Sequence, residues 1–149
     1  TTLHGHGIHP RRVVSVGISN GAGMAIFAPC MRPNWFDGAI EIGGWLPLAC
    51  QRAALSVMAV NGGRDPEFNQ VTAQTIVGWW RRNVVDCPHP AIIQRTPFLM
   101  TRTWTGCTGN SIVRYVYPYN VKHVWPKYTF YDVDEDILNM AKGSFPDIP

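Results

Sequence analysis

The five residues Gly17-Ile18-Ser19-Asn20-Gly21 constrain this chain more than any other stretch. They follow the apolar run Val13-Val14-Ser15-Val16 and lead into the small residues Ala22-Gly23-Met24-Ala25, so the pattern reads as strand, sharp turn and helix. A serine on such a turn leaves no room for a Cβ two residues before or after it, which accounts for the flanking glycines. Its hydroxyl then stands at the carboxyl end of a sheet. The bare pattern is weak in a chain with 14 glycines. The strand before it and the helix after it set Ser19 apart from an ordinary glycine-rich turn and mark it as a candidate nucleophile.

The rest of the chain repeats the alternation of strand and helix. The helix from Asn20 runs to about Cys30 and stops at Arg32-Pro33; Gly38–Ile42 is a second strand ending at Gly43-Gly44; Ala54–Val60 is a third. The unbroken apolar character of the third strand suits a parallel sheet covered on both faces. From Phe68 to Val85 the apolar residues, among them Ile76, Val77 and Trp80, fit a helix with one buried face, and Cys87-Pro88 ends it. Residues 91–105 read as an extended pair or an irregular connection, and Ile112–Tyr117 as a last strand. A final helix runs from about Asp132 to Lys142. The acids Asp132, Asp134, Glu135 and Asp136 gather at its start, where the helix dipole favours them, and this explains the cluster better than a metal site does.

The expectation is one α/β unit over residues 1–149, mostly parallel, with helices on the sheet. At 149 residues and 46% apolar content the chain can furnish a real core. The formal charge of +3 is scattered, so no nucleic-acid surface is expected, and no apolar run approaches the length of a membrane span. The chain opens on Thr1, which suggests a processed or truncated start.

A serine nucleophile needs a general base, and the base needs a carboxylate that fixes its tautomer. In the strand-to-helix arrangement they follow in chain order serine, acid, histidine, each from a loop at a strand end. His4, His6 and His9 precede Ser19, and His89 sits between two prolines beside Cys87. His123 remains, in the loop between the last strand and the last helix, where a surface histidine is the competing reading. Asp65 follows the third strand through Gly62-Gly63 and is preferred over Asp86 at a helix end and Asp37 before a strand. The stretch His4-Gly5-His6-Gly7-Ile8-His9 offers three imidazoles to zinc or copper, but without the fourth ligand and supporting hydrogen bonds of a real site; no metal is expected. Trp45 and the pair Trp79-Trp80 read as core or cleft wall.

Four cysteines in a chain of this length fit a secreted, disulfide-bearing protein. Cys87 and Cys107, each in a turn-like setting, make the most favourable bridge, closing a loop that stabilises by roughly 3 kcal/mol. Cys30 is compatible with a buried thiol, and the partner of Cys50 stays open.

Over nearly its whole length the chain resembles the carboxyl-terminal half of the polyhydroxybutyrate depolymerase and feruloyl esterase family of secreted α/β-hydrolases. The likeness lies in His9-Pro10-Arg11-Arg12-Val13 before the elbow, in Gly17-Ile18-Ser19-Asn20-Gly21 itself, and in Trp35-Phe36-Asp37-Gly38-Ala39 with Gly43-Gly44 after it. It extends to Asn61-Gly62-Gly63-Arg64-Asp65-Pro66, to Cys87 and Cys107, and to His123-Val124-Trp125-Pro126, the most specific of these.

The resemblance implies an α/β-hydrolase fold, Ser19 as nucleophile, Asp65 as acid, His123 as base, a Cys87–Cys107 bridge and no cofactor. Its substrates would be carboxylic esters, small or polymeric, such as feruloyl or hydroxyalkanoate esters. The family usually has His-Gly where this chain has Asn61-Gly62, and small glycines where Val121-Lys122 stand, departures that bear on substrate choice. Such hydrolases also carry about four strands before the elbow, one of whose loops supplies a second oxyanion donor. Here the backbone N–H of Asn20 is the one donor at hand, and a missing donor costs roughly 3–4 kcal/mol of barrier. The expectation is therefore a fragment whose partner is the missing amino-terminal half, with the Val13 strand left as an exposed edge. The alternative is a non-catalytic binding or assembly module.

Overall fold

The computed structural model describes residues 11–46, 49–68 and 70–146. Its framework is a six-stranded sheet built from β1 (Val14–Ile18), β2 (Gly38–Ile42), β3 (Ser56–Val60), β4 (Ile92–Arg95), β5 (Leu99–Cys107) and β6 (Ser111–Pro118), in the order β1-β2-β3-β6-β5-β4. The pairs β1–β2, β2–β3 and β3–β6 are parallel, while β5 runs antiparallel to both β6 and β4. The class is α/β, with a mostly parallel order on the side that carries Ser19. The stretch 91–105, read as an extended pair or an irregular connection, is the antiparallel pair of β4 with the first residues of β5.

Helices α1 (Asn20–Met31) and α2 (Gln70–Asn83) lie on one face of the sheet and α3 (Val133–Lys142) on the other. Ile26 and Cys30 of α1 and Ala73, Ile76 and Trp80 of α2 pack with Ala39, Val57, Ala59, Val113 and Tyr115. Val133 and Met140 of α3, with Phe145 beyond it, pack on Ile40, Ile42, Met58, Val60 and Val116. Every residue of β2 and β3 is buried, as strands covered on both faces must be. Trp80 is wholly buried because its indole N–H finds a partner, the Leu55 carbonyl at 3.0 Å.

Helix α3 starts where its acids predict: Asp132 accepts a hydrogen bond from the Asp134 N–H, and Gly143 ends the helix at φ 74°. Helix α1 is different, being apolar throughout, and it leaves Met24, Phe27 and Met31 exposed. Among the described residues β1 is an edge of the sheet.

Two disulfides tie the layers together. Cys87–Cys107 joins the segment after α2 to the end of β5. Cys30–Cys50 joins the last turn of α1 to the segment before β3, so neither cysteine is a free thiol. A short hairpin, β7 (Lys127–Tyr128) and β8 (Tyr131–Asp132), precedes α3; its two-residue strands are too short to leave a periodic signal.

Candidate active site

Ser19 occupies the turn between β1 and α1 at φ 55°, ψ −123°, a left-handed φ that a non-glycine residue adopts only under constraint. The constraint is visible. The Ser19 N–H donates to the Ile42 carbonyl at 3.0 Å, and its own carbonyl accepts from the N–H groups of Ala22 and Gly23. Gly17 is obligatory, since a Cβ there would collide with the Gly21 carbonyl, whereas a Cβ on Gly21 would meet nothing within 4 Å. The expectation that both glycines make room for the turn therefore holds for Gly17 and is corrected for Gly21. Asn20 opens α1, so its N–H is among the amides that a helix leaves without an internal partner.

Asp65 and His123 come from the loops after β3 and β6, and their side chains meet: His123 Nδ1 lies 2.7 Å from Asp65 Oδ2. The other carboxylate oxygen accepts from the N–H groups of Glu67 and Phe68, both at 2.9 Å. Asp65 is thus an acceptor at both oxygens, with its side chain only 2% exposed, while the His123 ring keeps 27% open to solvent. The geometry favours the tautomer in which Nδ1 carries a proton toward Asp65 and Nε2 is left as the base. Phe68 stacks on the His123 ring with centroids 5.4 Å apart, and Trp45 packs on Phe68 at 5.7 Å.

The dipeptide Ile42-Gly43 at the end of β2 connects the elbow to this pair. Ile42 holds Ser19 through its carbonyl, and Gly43, at φ 57°, lies directly under the imidazole. A Cβ on Gly43 would come within 2.9 Å of His123 Nδ1 and Cε1 and 3.1 Å of Asp65 Oδ2. Only glycine accommodates both the close approach and the positive φ.

Neighbouring contacts hold the loops in place. The Val121 carbonyl accepts from the Arg64 N–H at 2.9 Å and abuts Gly62, where any Cβ would collide with it. The Val121 backbone carbonyl therefore clamps the acid loop to the histidine loop. Beyond His123, the Trp125 indole N–H donates to Asp134 Oδ1 at 2.9 Å and Lys127 to Asp134 Oδ2 at 2.8 Å. Those hydrogen bonds, Lys127 foremost, hold the Asp134 carboxyl below its ordinary range, and they raise the Lys127 ammonium in turn. The first turn of α3 thereby anchors the His123 loop.

Glu41 is a participant that reading by motif passes over. It sits in β2 between Gly17 of β1 and Ala59 of β3, fully buried, with Oε2 accepting from the Gly44 N–H at 2.7 Å. Burial pushes its carboxyl up to about 8, the Gly44 hydrogen bond opposes this, and the nearby Asp65 charge adds to it. A charged residue inside the apolar strand Gly38–Ile42 was the available signal. Gly43 and Phe68 left no such signal, because their roles depend on which loops meet.

The rejected candidates lie elsewhere. Asp37 Oδ2 accepts from the Val13 N–H at 2.7 Å and so secures the start of β1, while His89 and Asp86 are exposed. His4, His6 and His9 fall outside the described residues. Among models of known protein families none matches the chain, and a comparison with curated proteins finds no match either.

Proposed function

We propose that this chain carries the catalytic centre of a secreted serine esterase built on the α/β-hydrolase plan. The observation that carries the reading is the 2.7 Å contact between Asp65 and His123, formed from two separate strand-end loops over Gly43, the residue after the Ile42 whose carbonyl holds Ser19 at an elbow φ of 55°. Ser19 Oγ attacks the ester carbonyl as His123 Nε2 takes its proton. Asp65 holds the imidazole and stabilises the imidazolium. The Asn20 N–H, at the positive end of α1, faces the developing oxyanion. His123 then protonates the departing alcohol, and water attacks the acyl-enzyme by the same steps in reverse. Phe68 beside the imidazole, with Trp45 packed on it, suits an ester with an apolar acyl or alkyl group; a feruloyl or hydroxyalkanoate ester follows from the family resemblance. The two disulfides suit an oxidising, extracellular setting.

A fluorophosphonate tests the reading without presuming a substrate. The expected result is a single mass increment on Ser19 of the oxidised chain, lost in Ser19→Ala and His123→Ala. Absence of labelling in a folded chain, or labelling that survives in Ser19→Ala, would overturn it; the first outcome favours a non-catalytic binding module.

A further inference from the structure

A cavity of about 650 Å³ opens on the α3 face of β4, β5 and β6, and Ser19, Asp65 and His123 do not line it. Two of its walls, Tyr128 and Phe130, belong to the β7–β8 hairpin and to a stack of three rings. Phe130 packs on Phe98 at 5.2 Å and 23°, and on Tyr128 at 5.1 Å and 12°. At the two ends of this stack, Phe98 remains 53% and Tyr128 41% exposed. Glu135 and Asn139 also line the cavity from α3. Four residues apart, they share one face of that helix.

The chemistry of the walls narrows the ligand. Exposed aromatic rings favour a partner with flat C–H surfaces. A carboxylate such as Glu135 is an acceptor only, so it requires a partner rich in donors, which a polyester or a hydrocarbon lacks. The carboxylates Asp132, Glu135 and Asp136 repel a polyanion. Arg114, the cation on the floor, is held 3.6 Å from Asp136 and 2.9 Å from Thr103 Oγ1, and so is not offered to a phosphate. A ring that presents C–H groups on its faces and hydroxyl donors around its edge meets all of these conditions.

We propose that this cavity binds a neutral oligosaccharide, its sugar rings packing on Tyr128 and Phe130, with Phe98 extending the stack beyond the cavity, and its hydroxyls donating to Glu135 and Asn139. The site is independent of the esterase reading, since it uses none of the same residues.

The test is an NMR and calorimetric titration of the Ser19→Ala chain with cellohexaose, xylohexaose, mannohexaose and chitohexaose, so that hydrolysis plays no part. Saturable binding of at least one is expected, with amide shifts confined to Phe98, the β7–β8 hairpin and α3. Both Tyr128→Ala and Glu135→Gln should weaken that binding about tenfold. Glu135→Gln keeps the side-chain shape and decides the matter if Tyr128→Ala disturbs the hairpin. No shifts with any hexasaccharide, shifts mapping elsewhere, or equal affinity in the folded variants would each overturn the proposal, as would binding to polyester granules alone.

Discussion

Strands β2 and β3 are buried at every position, whereas β4 alternates between half-buried and exposed residues. The parallel half of the sheet has helices on both faces, so its side chains are consumed by packing, and the candidate residues Ser19, Asp65 and His123 stand in loops at the strand ends. The antiparallel half is covered less completely. There, side chains on the face of the sheet, with the hairpin and α3, are left to form a cavity. On the two proposals above, one half would carry the reaction and the other the binding surface. The difference follows from how completely each half is covered.

Substitutions separate the two halves. The largest effect is expected in the parallel half. Asp65→Asn should preserve the fold but favour the wrong imidazole tautomer, reducing kcat about 10⁴-fold on a nitrophenyl ester; a loss below tenfold would remove Asp65 from the mechanism.

On the antiparallel side the effect should fall on stability alone. Arg114→Ala leaves Asp136 buried without the guanidinium beside it, and it removes the contact of Arg114 with Phe145, 4.4 Å from the ring centroid. A loss of about 3–5 kcal/mol by urea titration is expected, with ester turnover per folded molecule unchanged. A matching fall in turnover would show that the halves are coupled.

Glu41 gives a pH-dependent effect, negligible at acid pH and growing as pH rises. The native carboxyl, raised to about 8 from 4.5, keeps its proton where the unfolded chain has lost it. Its contribution is therefore fully present below pH 4.5 and is lost as pH rises toward 8. Glu41→Gln should abolish that decline, gaining on the parent chain by up to about 1.4 kcal/mol per pH unit across this window. Parallel stability curves for the two proteins would disprove it.

Much of this organisation was legible in the residues. The elbow could be read because a local steric requirement, Gly17 beside a serine at positive φ, leaves a local signature. The third strand, within Ala54–Val60, could be read because strands buried on both faces are continuously apolar. Asp65 and His123 could be picked out because loops after parallel strands share one end of the sheet, so chain order narrows the choice. The strand pairing within residues 91–105 could not be assigned, because antiparallel partners are set by register with a neighbour. Nor could the partner of Cys50 be named, since it depends on where α1 ends relative to the segment before β3.

Local residue patterns set the alternation of strand and helix, the strained position of Ser19 and the short roll of candidate groups around it. Periodicity and turn sterics act within a few residues and are written locally. The tertiary structure alone decided that Gly43 lies beneath His123, that Val121 clamps Gly62, that Asp134 anchors the histidine loop, and that Phe98, Phe130 and Tyr128 stack beside a cavity. Each of these joins residues distant in the chain, and contact at such range is set by how the layers pack.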